Sequence, residues 1–365
     1  MKSWFRVATA LAVAAIFCFA AWNRADAGRP ARSDYRVLAP ITHGNLTIFP
    51  VVASTTYDTS RFLTLDEGLR SGEVVVTEAG SVRGMIRRRP GHPEPVPYQQ
   101  RGAEVNRLVL VNNSSRPLLL LAGEIVTGGK QDRVIGKDRI VPPESDPIDL
   151  SVFCVEPGRW TATSDKFGGL QSQMAQPAIR SKAMADKDQQ KVWGGVRNSQ
   201  AAMAAQLPAP AAAEVAGVSS YARVMSNDEV KKQVDSVAAP MQRSYESVIR
   251  QLRAQNAVGV VVAVNGEIIW ADLFASTSLL EKYWPKLVRS YAAEAVTARR
   301  MRSRSPSTAE AQDFVDDRDG TRQTVETEPG VYRHTEIAGK EFRAFALASL
   351  LPKTGYDVHV SKMAE

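Results

Sequence analysis

Cysteine is almost absent from the sequence, since only Cys18 and Cys154 occur among 365 residues. Cys18 lies in an N-terminal segment that we expect to be removed, so Cys154 would be alone and could form no disulfide within the chain. The chain also lacks a CxxC pair and an HExxH motif, the usual spacings of structural and catalytic zinc ligands. We therefore expect a fold that is stabilised by its core, with no metal and no other cofactor.

The sequence also lacks a large excess of one charge. It contains 46 Lys and Arg residues and 39 Asp and Glu residues, which gives a net charge of +7. Hydrophobic residues make up 44% of the chain and charged residues 23%, as in an ordinary globular protein. A nucleic-acid-binding protein would concentrate its basic residues on one face. The two dense basic runs, at 87–89 and 299–304, instead have the composition of solvated loops, so no nucleic-acid partner is expected.

The N-terminus has the pattern of a secretory signal peptide. Lys2 and Arg6 precede an apolar run at 7–22, and Ala25-Asp26-Ala27 follows it. We predict a signal peptide over residues 1–27 with cleavage after Ala27, and hence a secreted or periplasmic protein without a membrane segment. The alternative is an uncleaved anchor, although the apolar run is shorter than the span of about 20 residues that a bilayer requires.

Residues 35–160 predict a β-rich domain, because short apolar runs alternate with turn residues. Runs at 73–77 and 81–86 flank a glycine turn and predict a hairpin, and runs at 107–111 and 117–121 flank a second turn-rich connection. A further strand is predicted at 148–155. Its alternation places Cys154 on the core side with Leu150 and Val152, which favours a buried, unreactive thiol over a nucleophile.

The remainder of the chain changes character twice. Residues 161–256 predict a helical segment that contains a Pro/Ala linker at 207–213. Residues 257–365 predict an α+β part, with a hairpin around Asn265-Gly266 and a mobile insert at 301–330. The predicted fold is therefore α+β, with β-rich N-terminal and C-terminal parts around a helical middle and with mostly antiparallel or mixed sheets.

The densest polar cluster in an apolar region lies at 122–133. A strand leads into Gly128-Gly129, where the missing side chains would let backbone N–H groups approach a ligand. The spacing does not match a P-loop. We predict a site for a small anionic ligand, with candidate binding residues Gly128, Gly129, Lys130, Gln131 and Arg133. Glu124 is a candidate catalytic base. The alternative is a glycine turn with solvated charges.

Several of these segments together resemble one protein family, the ARG and rhodanese-phosphatase-superfamily-associated protein domain, in which ARG stands for ADP-ribosylglycohydrolase. The residues that carry the resemblance are 119–133, Pro142-Pro143, 152–160 and the hairpin and helix at 259–284. The likeness covers most of the chain after residue 27, except the Pro/Ala linker and the acidic insert after Met301. The family name implies an association with ADP-ribose-processing and phosphatase-like domains.

Three functions are compatible with the sequence. The first is an exported α+β domain that binds a small anionic ligand or a protein partner through residues 124–133. The second is an enzyme that acts on a phosphorylated or ADP-ribose-like substrate, with Glu124 as base and Lys130 or Arg133 holding the phosphate. The third is a structural envelope protein. The first two require Glu124, Lys130 and Arg133 to face a shared cavity.

Overall fold

A computed structural model describes residues 34–79, 104, 106–251, 255–299 and 304–365. The part from Tyr35 to Glu365 forms one compact unit. The predicted signal peptide, the second strand of the hairpin at 81–86 and the basic run at 87–89 lie outside the described residues. Among the described helices, none combines the length and the apolar character needed to cross a bilayer.

Eighteen strands occur within the described residues. They are β1 (Tyr35–Val37), β2 (Ile41–His43), β3 (Leu46–Ala53), β4 (Leu63–Thr64), β5 (Val74–Glu78), β6 (Arg107–Asn112), β7 (Leu118–Leu120), β8 (Glu124–Thr127), β9 (Arg133–Ile135), β10 (Arg139–Val141), β11 (Ile148–Cys154), β12 (Gly168–Met174), β13 (Ala257–Val264), β14 (Glu267–Phe274), β15 (Thr321–Glu328), β16 (Tyr332–Ala338), β17 (Phe342–Ser349) and β18 (Asp357–Ala364).

The described helices are concentrated between β12 and β13, as the sequence predicts for the middle of the chain. They are α1 (Leu65–Ser71), α2 (Pro177–Ser181), a π-helix (Lys182–Asp186), α3 (Gln189–Ala204), α4 (Ala209–Ala216), α5 (Tyr221–Ser226), α6 (Asp228–Gln251), α7 (Thr277–Thr297) and α8 (Thr308–Asp316).

The main sheet has nine strands. Eight of them follow the spatial order β1-β3-β13-β14-β18-β17-β16-β15, and β2 also pairs with β3. Every pairing in this sheet is antiparallel. Strand β3, from the predicted N-terminal part, pairs with β13, from the predicted C-terminal part, so one sheet joins the two ends of the chain.

Two smaller sheets complete the β structure. One has the order β12-β8-β9-β11-β6-β5, and the other has the order β10-β7-β4, in which β4 and β7 run parallel. The prediction of an α+β fold with mostly antiparallel sheets around a helical middle is confirmed. Cys154 is also buried on the same side of β11 as Leu150 and Val152, as the alternation predicts.

The hairpin predicted at Asn265-Gly266 is confirmed. Asn265 and Gly266 have φ values of 52° and 82°, and they join β13 and β14 with Val264 opposite Glu267. Positive φ at both central positions is the conformation of a type I′ turn, whose twist suits a two-residue hairpin. This local signal therefore sets the register of two central strands of the main sheet.

Helices α6 and α7 continue through Pro240 and Pro285, although a proline inside a helix is expected to kink or break it. A proline inside a helix removes one backbone hydrogen bond. The apolar faces of both helices lie in the main core, and the rings of Tyr245 and Trp284 stack between them with centroids 3.9 Å apart. Tertiary packing of this kind commonly outweighs a local helix penalty.

The predicted linker at 207–213 is helical over most of its length. Pro208 is the N-cap of α4, and Pro210 lies in its first turn, where a missing N–H group breaks no helical hydrogen bond. Alanine then has the highest helix propensity of any residue. A composition typical of a linker is here the composition of a short helix.

The predicted mobile insert at 301–330 contains regular structure in its described part. Helix α8 begins at a capping box formed by Ser307 and Glu310. Its buried residues Ala311 and Val315 pack on the main sheet, and β15 follows as an edge strand. Only a few apolar residues attach this segment to the sheet. Its overall composition is therefore polar and does not indicate the regular structure that it forms.

Candidate functional site

The glycine bend lies after β8, and its backbone groups are already bonded within the protein. Gly128 and Gly129 have φ values of 121° and 49°. The Gly128 N–H donates to Asp132 Oδ1 at 3.0 Å, and the Gly129 N–H donates to Ser164 Oγ at 3.1 Å. The Lys130 N–H donates to Glu78 Oε1 at 2.8 Å. The bend therefore presents none of these three N–H groups to an outside anion.

Two of the other residues predicted to bind a ligand, Lys130 and Arg133, lie beside Trp160. Lys130 Nζ lies 4.9 Å from the centre of the Trp160 ring, and the buried guanidinium of Arg133 lies 5.9 Å from it. Gln131 donates from Nε2 to the Glu156 backbone oxygen at 3.1 Å. Lys130 and Arg133 are thus brought together on one aromatic ring.

Glu124 lies at the opposite end of β8 and has different contacts. Its carboxylate accepts from the Leu121 N–H at 2.8 Å and from Lys286 Nζ at 2.7 Å. Lys286 also pairs with Asp66 at 2.6 Å. Burial raises the pKa of Glu124, and the charge of Lys286 partly offsets this. The structure thus joins Glu124 to α1 and α7 rather than to Lys130 or Arg133.

A second buried charge network connects the helical middle to the main sheet. Arg180 donates from Nη1 and Nη2 to the two carboxylate oxygens of Asp272 at 2.9 and 3.0 Å. Tyr291 and Ser361 also donate to this carboxylate, at 2.5 and 2.7 Å. Gly123 makes room for this arrangement, because a Cβ at that position would lie 2.6 Å from Arg180 Cγ.

His359 links this network to Asp138. Its Nδ1 lies 2.6 Å from Asp138 Oδ2, and its Nε2 lies 3.3 Å from Asp272 Oδ1. Burial disfavours charge on His359, but the Asp138 carboxylate, with the help of Asp272, outweighs burial and raises the pKa from 6.5 to about 9. The ring is therefore an imidazolium at neutral pH, held between two carboxylates.

We expect the free energy of unfolding to fall at alkaline pH, because the ion pair between His359 and Asp138 is lost when His359 is deprotonated. Because the folded pKa lies above the unfolded value of 6.5, the stabilisation is complete below pH 6.5 and is lost as the pH rises through 9. The loss should be about 3 kcal/mol in the free energy of unfolding, measured by urea denaturation at pH 6, 8 and 10. His359→Gln should be less stable at pH 6 and should lack this component, and an identical pH profile for both proteins would contradict the assignment.

An open pocket with a second buried histidine lies where strands β15–β17 of the main sheet meet β11 and the π-helix. We call it the histidine pocket. Its volume is about 340 Å³. It is lined by Gly136, Lys137, Ser151, Phe153, Ala183, Met184, Lys187, Gln323, His334, Glu336 and Phe345. Ligand pockets in proteins have volumes of about 300–1,000 Å³, so this one is large enough for a small molecule.

His334 contributes a buried nitrogen that has no hydrogen-bond partner within the described part of the chain. The residue is 3% exposed, and its Nε2 is buried without a partner. Burial lowers the pKa of His334 to about 4, and Lys137 contributes to the lowering, so the ring is neutral at pH 7. A buried polar atom without a partner is uncommon in proteins and requires an explanation.

Two lysines and a carboxylate lie in the same pocket. Burial lowers the pKa of Lys137, and the charge of Arg139 adds to this effect. Lys187 has a positive φ of 53° and pairs with Glu336 at 2.7 Å. Lys187 directly follows the π-helix, a rare conformation that is frequent at functional sites. Local backbone strain and local basic charge therefore occur together at this pocket.

The sequence predictions missed the histidine pocket. The available signal was the alternation of β16, in which Tyr332, His334 and Glu336 share one face of the strand. A histidine on the buried face of a strand is consistent with a core position as well as with a site. Only the packing of β11 and the π-helix onto this face distinguishes the two.

Comparison with known proteins gives one family match. The family model of ARPP-1, the ARG and Rhodanese-Phosphatase-superfamily-associated Protein domain, matches residues 34–363. No curated protein and no solved structure matches the chain. The match includes every residue of the histidine pocket and of the two buried charge networks.

Proposed function

The chain belongs to the ARG and Rhodanese-Phosphatase-superfamily-associated Protein domain family, and we propose that it binds a small organic anion in the histidine pocket. The ligand carries hydroxyl groups beside a phosphate or carboxylate. The single observation that supports this most is that His334, which lines a pocket that also contains Lys137, has a buried Nε2 without a hydrogen-bond partner among the described residues.

The charges of the pocket favour an anion. Lys137, Lys187 and the carboxylate of Glu336 line it, and Lys187 is already paired with Glu336. Lys137 is half-buried, and burial lowers its pKa because the ammonium is poorly solvated. The positive charge of Lys137 would attract a phosphate or carboxylate bound in the pocket.

The histidine favours a ligand with a hydroxyl group. Glu336 Oε1 lies 3.8 Å from His334 Nδ1, beyond hydrogen-bond distance, and the negative charge of the carboxylate favours the tautomer with its proton on Nδ1. Nε2 is then an acceptor, and a ligand hydroxyl can donate to it. Phe153, Met184 and Phe345 supply apolar walls for the carbon skeleton. A sugar phosphate meets these requirements.

The family name supports a phosphorylated or ADP-ribose-like ligand, because it refers to an association with ADP-ribosylglycohydrolases. The alternative of an enzyme with Glu124 as base has weaker support. Both the Leu121 N–H and Lys286 occupy that carboxylate, and neither Glu124 nor Lys130 lines the histidine pocket. The proposal includes export, because residues 1–27 have the pattern of a signal peptide.

Calorimetric titration of the protein with ribose 5-phosphate tests the proposal. Ribose 5-phosphate should bind more tightly than either ribose or inorganic phosphate alone, because each of these satisfies only part of the pocket. Lys137→Gln should weaken the binding about tenfold or more, which corresponds to about 1.4 kcal/mol. His334→Leu should also weaken it, since it removes the acceptor.

Lys340→Gln is the matched control, because it removes the same charge from an exposed turn outside the pocket. The affinity of Lys340→Gln for ribose 5-phosphate should stay within about twofold of the parent value. ADP-ribose in a parallel titration shows whether the larger ligand is accepted. If neither ribose 5-phosphate nor ADP-ribose binds, or if Lys137→Gln binds as tightly as the Lys340→Gln control, the proposal is wrong.

A further inference from the structure

The strands that line the histidine pocket have a second hollow on their other face. Side chains alternate along β16, so His334 and Glu336 face the histidine pocket while Arg333 and Thr335 face away from it. On this outer face lies an open hollow of about 380 Å³, which we call the arginine groove. It extends across β14, β18, β17, β16 and β15 and ends at α8.

The groove exists because the outer face is covered over only part of its width. Helix α8 packs on the β1, β3, β13 and β14 side of the sheet through Ala311 and Val315. On the other side, the outward face of β17 begins with Phe342 and continues with the small residues Ala344, Ala346 and Ala348. Neighbouring strands carry longer side chains. The short alanine side chains of β17 therefore form the floor of the hollow.

The walls of the groove are basic. Four basic residues line it, together with the two carboxylates of Asp317 and Asp357. The basic residues are Arg318, Arg322, Arg333 and Lys362. These charges sum to an excess of two positive charges. An anionic ligand therefore complements the groove.

Three of these cations are arginines that have little else to bind. Among the described residues, the Arg318 and Arg333 guanidinium groups have no hydrogen-bond or ion-pair partner. Within the same described part of the chain, Arg322 donates only to the Arg318 backbone oxygen, at 3.4 Å. Lys362 has a different role, because it donates to the backbone oxygens of Phe314 and Asp317 and so fastens the end of α8 beside the groove.

We propose that the arginine groove is a second binding site, for an organic oxyanion with an apolar body. The planar guanidinium groups of Arg322 and Arg333 would hold a phosphate or carboxylate, a geometry that arginine matches better than lysine does. The apolar body would lie on the alanine floor. This ligand requires no hydroxyl group, which distinguishes it from the ligand of the histidine pocket.

Titration with two aromatic anions tests the groove and identifies its oxyanion. Phenyl phosphate and benzoate carry the same apolar ring with different anionic groups, and benzyl alcohol is the uncharged counterpart. We expect at least one of the two anions to bind and benzyl alcohol to bind at least about tenfold more weakly. Binding of phenyl phosphate alone assigns the groove to phosphates, and binding of benzoate alone assigns it to carboxylates.

Variants on opposite faces of the sheet locate the binding. The double variant Arg322→Ala/Arg333→Ala should lose about tenfold or more in affinity, and Ala346→Phe should lose binding because its ring fills the floor. Arg197→Ala removes an exposed arginine of α3 and should bind like the parent protein. Thermal unfolding of each variant confirms that it is folded before it is titrated.

Several results would overturn the proposal for the groove. These are the absence of binding by both anions, equal binding of benzyl alcohol, and parent-like affinity in the double arginine variant. A further such result is that Lys137→Gln abolishes binding of the aromatic anions while the double arginine variant binds them normally. That result would show that these anions bind in the histidine pocket and not in the groove. A dimer that Arg333→Glu dissociates would show that a second copy covers the groove, and would also overturn the proposal.

Discussion

Replacing Asp272 with alanine should lower the free energy of unfolding by about 3–5 kcal/mol. The side chains of Arg180 and Asp272 are both fully buried, and the two hydrogen bonds between them are the reason that a guanidinium can lie there. Without the carboxylate, a buried cation would remain unpaired beside the Trp270 ring, 4.4 Å away. Urea denaturation of the parent and variant proteins measures the difference.

An exposed ion pair provides the control for this experiment. Glu229→Ala removes the partner of Lys232 on the surface of α6, and it should change stability by no more than about 1 kcal/mol. Arg180→Met/Asp272→Leu removes both buried charges and should be more stable than Asp272→Ala alone, because no charge stays unpaired. A loss of less than 1 kcal/mol for Asp272→Ala would show that the pair is not essential to the fold.

Replacing Lys286 with methionine should have an effect of similar size, about 3–5 kcal/mol. Lys286 is almost fully buried and forms ion pairs with both Glu124 and Asp66. Burial disfavours its charge, yet the two carboxylates outweigh burial and raise its pKa. After the substitution, Glu124 would be a buried carboxylate without a cation, and its pKa would rise further. Chemical denaturation at pH 7 measures the loss.

Glu124→Gln in the Lys286→Met background separates charge from packing. A neutral amide keeps the size of the side chain and can still accept from the Leu121 N–H, so it should restore part of the lost stability. The single variant should also regain stability as the pH falls, because Glu124 then becomes protonated. If the Glu124→Gln substitution adds no stability to Lys286→Met, loss of packing rather than charge explains the effect.

The features that the sequence predicted correctly depend on neighbouring residues. The Asn265-Gly266 turn and the burial of Cys154 follow from backbone preference and from alternation over a few residues. The α+β class follows from the same local preferences when they are applied to each segment of the chain in turn. The Pro/Ala linker and the mobile insert were predicted from composition, whereas capping and a few apolar contacts determine the helices in their described parts.

The features that the sequence could not predict depend on residues far apart in the chain. Arg180 and Asp272 are 92 positions apart, and His359 and Asp138 are 221 positions apart. These pairs meet only because the order of strands in the main sheet brings them together. Glu124 was predicted to be a candidate catalytic base, but its partner Lys286 lies 162 positions away. No local pattern encodes such a contact.

The alternation of β16 has a consequence for how this family can diversify. Arg333 and His334 are adjacent in the chain, yet they face hollows on opposite sides of the sheet. An inserted or deleted codon early in this strand would shift its register by one residue and exchange the two sets of side chains. Evolution can therefore tune each hollow by substitution, whereas a change in the length of β16 would alter both at once.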